Sequence, residues 1–311
     1  MTSFSRRSVL AGAAAAPLIP TLASTASAGG HGAMVTSRAR SFLVGDFHVT
    51  TLLDASGAND NPQGIFGMNV SEEEFADVSA QNFIPSDSFQ GFFTPVVVET
   101  GSETILFDTG LGQGGLITSL GEAGIRPEDV THVVITHMHP DHINGMVTDG
   151  APTFPNAVYV TGRAEYDFWA AQGEGNRIYD IMSTNVIPFA DQMTFLEDGQ
   201  DVRGGITAMA AFGHTPGLLN FMIDSGGQQL YLASDLANHY VWSLAYPDWE
   251  VRFDMDKAAA AATRRRVLGM LASERIPMLG YHMPFPGAGY VETREDGFRW
   301  VPVTYQMTAR S

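Results

Sequence analysis

The residues best suited to chemistry form one short cluster in the middle of the chain. Between residues 137 and 142, four side chains can bind a metal: His137, His139, Asp141 and His142. Imidazole nitrogens and carboxylate oxygens are good ligands for zinc-like ions. The cluster directly follows a β-branched run that predicts a strand, so we expect it in a loop at the strand's end. The alternation places His137 and His139 on one side, while Asp141 and His142 can reach a second position nearby.

The composition narrows what kind of site this can be. The chain has 311 residues, a formal net charge of -17 and no cysteine. Without cysteine there is no disulfide, thiol nucleophile or thiolate ligand, so a metal must bind His, Asp or Glu. The acid excess repels phosphate backbones and argues against nucleic-acid binding through a basic surface. Lys257 is the only lysine, and Asp256 rather than glycine precedes it, which excludes a Walker-A loop.

The N-terminus has the form of an export signal. Arg6 and Arg7 lie in a twin-arginine pattern, an apolar stretch covers residues 9–18, and Ala-Ser-Ala at 26–28 fits a cleavage site. The apolar stretch is too short to span a bilayer, and we expect no membrane span elsewhere. The expected organisation is a twin-arginine signal at 1–28, a flexible leader at 29–40 and a single domain at 41–311, located in the periplasm or secreted.

Strand and helix patterns alternate along the rest of the chain, which predicts one layered α/β domain. A hairpin is expected from Phe42 to Leu53, turned at Gly45. Residues 59–93 look irregular apart from an acidic helix start at 71–74, and such a long stretch usually forms a lid or binding loop. Further strands are expected at 94–99, 104–107, 131–136, 158–161, 206–211, 219–224, 229–233 and 276–280, helices at 116–123, 163–171 and 257–273, and a closing hairpin at 290–303.

Two other patterns are weaker signals. Residues 110–115 contain G-x-G-x-x-G between a strand and a helix, which can indicate dinucleotide binding. A chain with 33 glycines matches that pattern easily by chance, so we assign no nucleotide to it. Arg264, Arg265 and Arg266 lie on the longest expected helix, which Asp256 should cap, and such a run predicts a solvated face.

The His-rich cluster resembles the metal-binding motif of the metallo-β-lactamase superfamily, and further motifs follow in that family's order. His214 lies in Gly-His-Thr-Pro-Gly, Asp235 in Ala-Ser-Asp and His282 in Gly-Tyr-His. Asp108 lies in an earlier Phe-Asp-Thr-Gly motif. The resemblance covers essentially all of the chain after the signal. It implies a four-layer αββα sandwich with the site along one edge, where two sheets meet.

The resemblance also implies a role for each matching residue. A first metal would bind His137, His139 and His214, a second would bind Asp141, His142 and His282, Asp235 would bridge both, and Asp108 would support the His-rich loop. The implied cofactor is a pair of divalent ions, with Zn²⁺ the expected metal, and the implied nucleophile is a hydroxide between them. Asp141 or Asp235 would move a proton to the leaving group.

Three details point to one branch of that family. The oxygen-reducing di-iron branch has a carboxylate at the position of His139, and true β-lactamases lack the bridging Asp235. The tail at 280–287 resembles exported enzymes similar to methyl parathion hydrolase and their lactonase relatives. Leu218 and Asn238 depart from this branch, since many relatives have a second His at the first position and acyl-homoserine lactonases have Tyr at the second. The effect of these departures on specificity is left open.

Aromatic residues predict an apolar pocket for a neutral substrate. The expected wall includes Phe89, Phe92, Phe93, Asn238, His239 and Phe285, with Trp169, Tyr240 and Trp242 as further candidates. The implied function is hydrolysis of lactone or ester bonds, with acyl-homoserine lactones as the leading substrates and quorum quenching as the consequence. Hydrolysis of phosphotriesters or aryl esters is the second hypothesis, and a non-catalytic metal- or ligand-binding module is the third. The oligomeric state is open, with a homodimer as one option.

Overall fold

Two seven-stranded sheets form the framework of residues 37–303, the part of the chain that this computed structural model describes. The strands are β1 (Ala39–Val44), β2 (Phe47–Leu52), β3 (Ala55–Asp60), β4 (Ser88–Phe93), β5 (Val96–Glu99), β6 (Thr104–Phe107), β7 (His132–Ile135), β8 (Val147–Thr148), β9 (Ala151–Pro152), β10 (Val158–Gly162), β11 (Thr194–Leu196), β12 (Asp201–Arg203), β13 (Ile206–Ala210), β14 (Leu219–Ser225), β15 (Gln228–Ser234), β16 (Met278–Gly280), β17 (Ala288–Arg294) and β18 (Gly297–Pro302). The expected export signal at 1–28 lies outside the described residues.

The first sheet has the order β1-β2-β5-β6-β7-β10-β11 and the second has the order β12 to β18. The α-helices of the described residues are α1 (Glu72–Gln81), α2 (Gly115–Glu122), α3 (Pro140–Ile143), α4 (Arg163–Ala170), α5 (Arg177–Asn185) and α6 (Lys257–Glu274). No helix within residues 37–303 is long and apolar enough to cross a bilayer.

The hydrophobic clusters show how these elements form layers. Val98 of the first sheet and Phe221 of the second belong to one buried cluster between the sheets. Val97, which the strand alternation turns to the other face, packs with residues of α2, α4 and α5. On the outer face of the second sheet, Tyr231 packs with α6 residues such as Leu268. The domain is therefore a four-layer αββα sandwich, which confirms the predicted fold.

The first turn and the longest helix form as the sequence predicts. β1 and β2 pair antiparallel around Gly45, whose φ of 57° suits glycine. A side chain there would also collide with Ser225, whose carbonyl oxygen is 2.0 Å from where a Cβ would stand. Asp256 caps α6 by accepting a hydrogen bond from the backbone amide of Ala259 at 2.9 Å.

Two elements differ from the expectation. β1 begins at Ala39, so the last two residues of the expected flexible leader at 29–40 already belong to a strand. The stretch 59–93, expected to be irregular, contains β4, which pairs with β3 along six residues of each strand. β3 is exposed along nearly its whole length, so it has no alternation of apolar and polar side chains from which a strand could be predicted.

Candidate metal centre

The seven predicted ligands come together where strands end. β7 leads into His137 and His139, α3 carries Asp141 and His142, the β13–β14 connection carries His214, β15 leads into Asp235, and β16 leads into His282. Their donor atoms form two groups, and within each group all of the atoms lie within 4.8 Å of one another. Separate strands deliver these side chains, so the two-sheet framework sets the geometry of the cluster.

The first group contains three histidines and Asp235. The Nδ1 atom of His139 lies 3.0 Å from Nε2 of His137 and 2.9 Å from Nε2 of His214. Oδ2 of Asp235 lies 3.3 Å from Nε2 of His214 and 3.8 Å from Nε2 of His137. Ligand atoms around a tetrahedral zinc ion, at bond lengths of about 2.0–2.1 Å, stand roughly 3.3 Å apart. The spacing therefore suits one ion.

The second group contains Asp141, His142 and His282. Oδ2 of Asp141 lies 3.5 Å from Nε2 of both histidines. Asp235 reaches this group as well, since its Oδ1 is 3.2 Å from Nε2 of His142 and its Oδ2 is 3.2 Å from Nε2 of His282. One carboxylate thus touches both groups, which is the arrangement that a bridging ligand requires.

The unpartnered polar atoms of the cluster and the neutral state of His137 fit a divalent metal. Among residues 37–303, Nε2 of His142 and Oδ1 of Asp235 are buried and have no hydrogen-bond partner. Buried polar atoms normally have one, and a metal ion would supply it. Burial, followed by the neighbouring His142, lowers the pKa of His137 well below its usual range, so that imidazole is in the neutral form that binds metals.

Asp108 supports the cluster through His142. Its Oδ2 accepts a hydrogen bond from Nδ1 of His142 at 2.8 Å, and its Oδ1 accepts one from the backbone amide of Thr136 at 2.9 Å. The φ of Asp108 is 61°, a left-handed conformation that is uncommon outside glycine. Because Nδ1 of His142 is engaged, Nε2 is the atom left for a metal.

A buried ion pair stands behind His214. Its Nδ1 lies 3.0 Å from Oδ1 of Asp254, and Nη1 of Arg264 donates to Oδ2 of the same carboxylate at 2.7 Å. The side chain of Arg264 is only 1% exposed, so the prediction of a solvated face is wrong at this position. The other two arginines of the run, Arg265 and Arg266, do lie at the surface. Arg264 is buried because Asp254 and two backbone carbonyls neutralise and solvate its guanidinium.

Glu165, at the start of α4, joins the two loops that carry the first group. One carboxylate oxygen accepts from the Met138 amide at 2.9 Å and from the Trp169 indole at 2.7 Å. The other accepts from the Thr215 hydroxyl at 2.7 Å and from the Gly217 amide at 3.0 Å. Met138 lies between two ligands and Thr215 follows a third, so one buried carboxylate fixes both segments. Trp169 thereby belongs to this support and not to the substrate wall.

The glycine-rich loop at 110–115 is occupied by a carboxylate of the chain itself. Asp54 accepts hydrogen bonds from the amides of Leu111 at 2.8 Å and Leu116 at 2.7 Å. A Cβ on Gly110 would stand 2.5 Å from this carboxylate, which explains the glycine there. Asp54 therefore stands at the helix N-terminus where a nucleotide phosphate would bind.

An apolar cavity of about 470 Å³ opens beside His282. Its lining includes Phe89, Phe92, His239, Tyr240, Trp242 and His282. Nδ1 of His282 lies 2.8 Å from the carbonyl oxygen of Phe92, so β4 both forms part of the wall and orients a predicted ligand. A cavity of this size suits a small organic substrate with an apolar arm.

Three residues expected in the wall lie elsewhere. Phe93 packs edge-on against the ring of His282 at 5.4 Å. Asn238 donates to Oδ2 of Asp235 at 2.9 Å, so it orients that carboxylate and does not line the cavity. Phe285 is half-buried and is also absent from the lining.

Sequence reasoning missed the supports of the cluster. Glu165, Asp254 and Asp54 are single carboxylates in unremarkable surroundings, and nothing in their local sequence predicts burial. Arg264 did carry a signal, because it shares the helical spacing of the buried residues Ala260 and Leu268. The spacing could have placed it on the inner face of α6.

Comparisons with known proteins agree with the geometry. A family model described as "Metallo-beta-lactamase superfamily" matches residues 94–278. The chain is 28% identical over 117 residues to an N-acyl homoserine lactonase of Bacillus cereus, covering 38% of this chain and 42% of the relative. It is 26% identical over 147 residues to one of Bacillus sp, covering 42% of this chain and 54% of the relative. The chain thus spans about half the length of these curated relatives.

Solved structures extend the likeness over most of the chain. AidC, described as a dizinc quorum-quenching lactonase in complex with a product, superposes with a TM-score of 0.79 at 27% identity, covering 86% of this chain and 98% of AidC. AbOPH, described as a hydrolase in the beta lactamase superfamily, gives a TM-score of 0.77 at 23% identity, with 86% and 98% covered. The second comparison supports the fold alone.

Proposed function

Since the chain belongs to the metallo-beta-lactamase superfamily, we propose that it is an exported dinuclear metal-dependent hydrolase that opens lactone or ester bonds. N-acyl homoserine lactones are the leading substrates, and quorum quenching is the expected consequence. The observation that carries the proposal is the position of Asp235, whose carboxylate touches histidines of both groups at 3.2–3.3 Å. The lactonase activity of AidC and of the Bacillus relatives supports the choice of bond.

The proposal gives each ligand a place. His137, His139 and His214 would hold one divalent ion, Asp141, His142 and His282 would hold the other, and Asp235 would bridge them. Zn²⁺ is the metal we propose, because AidC is described as dizinc and the donor set suits zinc. Such ions lower the pKa of a bound water towards 7 and polarise a carbonyl or phosphoryl oxygen.

Other residues would hold the ligands, move a proton to the leaving group and bind the arm of the substrate. Asp108, Glu165 and Asp254 hold the ligands in place, so little rearrangement is needed when a substrate arrives. Asp141 is the better candidate for moving a proton to the leaving group, because its side chain is 19% exposed and that of Asp235 only 4%. The apolar cavity beside His282 would take the acyl or aryl arm and exclude water from it.

The test combines metal analysis with a substrate panel. We expect two metals per chain, turnover of N-acyl homoserine lactones, and weaker turnover of aryl esters and phosphotriesters. Asp235→Ala should lose metal and activity together, whereas Asp149→Ala on the surface should lose neither. Full activity of Asp235→Ala would contradict the mechanism. A phosphotriester preferred over every lactone would favour the second hypothesis, and metal binding without any product would favour the binding module.

Export is a separate part of the proposal. It rests on Arg6, Arg7 and the small-residue motif at 26–28, all of which lie outside the described residues. Replacing both arginines by lysine should retain the protein in the cytoplasm of a bacterial host with a twin-arginine pathway. Equal periplasmic amounts of the native and substituted proteins would contradict this part alone.

A further inference from the structure

His239 is held in one orientation inside the apolar cavity. Its Nδ1 accepts hydrogen bonds from the backbone amides of Val241 and Trp242, both at 3.2 Å. An imidazole nitrogen that accepts hydrogen bonds carries no proton, so in the neutral ring the proton lies on Nε2. The ring also stacks on Trp242 at a centroid distance of 4.1 Å and an angle of 16°. Backbone and indole together thus fix both the tautomer and the plane of the ring.

The Nε2–H group of His239 has no acceptor within residues 37–303 and is free to donate a hydrogen bond to a ligand. His239 is 6% exposed, and no residue within 37–303 accepts a hydrogen bond from its Nε2. A second N–H donor of the lining, the indole of Trp242, already donates to Oγ of Ser79 at 3.0 Å. Burial lowers the pKa of His239 to about 3, so the ring is neutral at ordinary pH. An N–H donor in the cavity wall that has no acceptor within the protein can donate to an acceptor that enters the cavity.

We propose that His239 determines specificity by donating a hydrogen bond from Nε2 to an oxygen acceptor on the arm of the substrate. The preferred substrates are then lactones or esters whose apolar arm contains an amide or ketone carbonyl, over those with a purely alkyl arm. The inference rests on the proposed hydrolase function for its readout. It assigns the recognition of the arm to a neutral imidazole and that of the reacting carbonyl to the metal centre.

Two substitutions separate the two nitrogens of the ring. In His239→Asn the amide oxygen can still accept from the backbone of Val241 and Trp242, while the distant donor is lost. In His239→Gln the amide nitrogen can reach the position of Nε2 and restore a donor. Tyr240→Phe is the matched control, because it removes the hydroxyl of a neighbouring lining residue and leaves the imidazole in place.

The experiment compares kcat/KM for N-hexanoyl-homoserine lactone and for a γ-lactone with an alkyl arm of equal length. We expect His239→Asn to reduce the preference for the amide-containing lactone roughly tenfold, in line with the loss of one hydrogen bond. His239→Gln should recover part of that preference, and Tyr240→Phe should keep it. A preference that is the same in the native protein and in His239→Asn would overturn the inference.

The design also separates this inference from the proposed function. If the metal-loaded native protein turns over neither lactone, the proposed function fails, and the donor is then tested by binding. Trp242 fluorescence should report N-butylhexanamide, because its indole stacks on His239. Binding roughly tenfold weaker in His239→Asn than in the native protein would support the donor, and equal binding would overturn it.

Discussion

The metal cluster and the aromatic wall of the cavity lie side by side but are held by different interactions, hydrogen bonds in the first and ring packing in the second. Around the cluster, Asp108, Glu165 and Asp254 each make at least two short hydrogen bonds, and at least one bond of each reaches a ligand or its loop. Around the cavity, Phe89 and Trp242 are held mainly by ring-to-ring packing with centroids about 6.0 Å apart. Directional bonds fix the positions of donor atoms, whereas apolar packing fixes volume and tolerates change.

The comparison therefore separates two kinds of variant. Substitutions behind the cluster should change metal binding and stability, while substitutions in the wall should change the choice of substrate arm. Three experiments, at Arg264, Glu165 and Phe89, test that division, and a crossover between the two kinds of effect at these residues would break it. A fourth tests the neutral state of His239.

The largest effect is expected at Arg264. Arg264→Met leaves the Asp254 carboxylate buried without its cation, which costs about 3–5 kcal/mol in the free energy of unfolding. Arg265→Met on the same helix is the control, because its exposed pair with Asp248 is worth about 1 kcal/mol or less. Urea unfolding of both variants measures the difference. Equal costs would mean that the buried pair of Arg264 with Asp254 adds no more stability than the exposed pair.

The next effect concerns Glu165. Glu165→Gln replaces one acceptor oxygen by a donor among four hydrogen-bond donors, so metal affinity should fall 10-fold to about 100-fold. Trp169→Phe removes one of those donors and keeps the link between the loops of Met138 and Thr215. Competition with a chelator, read alongside far-UV circular dichroism, compares the two. An affinity unchanged in Glu165→Gln would show that other contacts hold these loops.

His239 predicts a pH effect on stability. The unfolded ring takes up a proton near pH 6.5 and the folded ring only at about 3, so the unfolded state binds more protons between those values. Stability is therefore lost as the pH falls below 6.5. From pH 7 to pH 5 the native protein should lose about 2 kcal/mol more than His239→Asn. Parallel pH profiles of urea unfolding for the two proteins would contradict the neutral, buried ring.

The smallest effect is expected in the wall. Phe89→Ala should raise KM for long-arm substrates by about fivefold to tenfold, since about 1 kcal/mol of apolar contact is lost. The metal content and the kcat for a short-arm lactone should not change. Phe83→Ala, at a phenylalanine that is 97% exposed, is the control. A fall in metal content in Phe89→Ala would show that packing in the cavity wall also determines metal binding by the cluster.

What the sequence predicts well are the features that repeat a local pattern. A layered α/β domain follows from strand alternation and helix spacing, whereas the αββα order and the full set of seven ligands were implied by the family resemblance. The ligands come together because separate strands lead into them. Asp256 was recognisable as an N-cap because the capping bond is made within three residues. These signals are local, and the structure adds only their relative placement.

The unpredicted features depend on contacts between distant parts of the chain. Glu165 reaches Gly217, which lies 52 residues later, and no pattern near either residue marks that bond. β3 is a strand because β4 pairs with its backbone, although its own sequence of Ala, Ser, Gly, Ala, Asn and Asp disfavours strands. Burial and pairing of this kind are decided by the tertiary fold.

The position of Asp54 also affects how the protein responds to phosphate and nucleotides in solution. Two backbone amides of a loop that resembles a phosphate-binding loop instead donate to the carboxylate of Asp54, which the chain holds in place. A phosphate or nucleotide would therefore have to displace the Asp54 carboxylate in order to bind at this loop. The carboxylate of Asp54 competes with any dissolved anion for the loop at 110–115, although the sequence of this loop resembles a cofactor site.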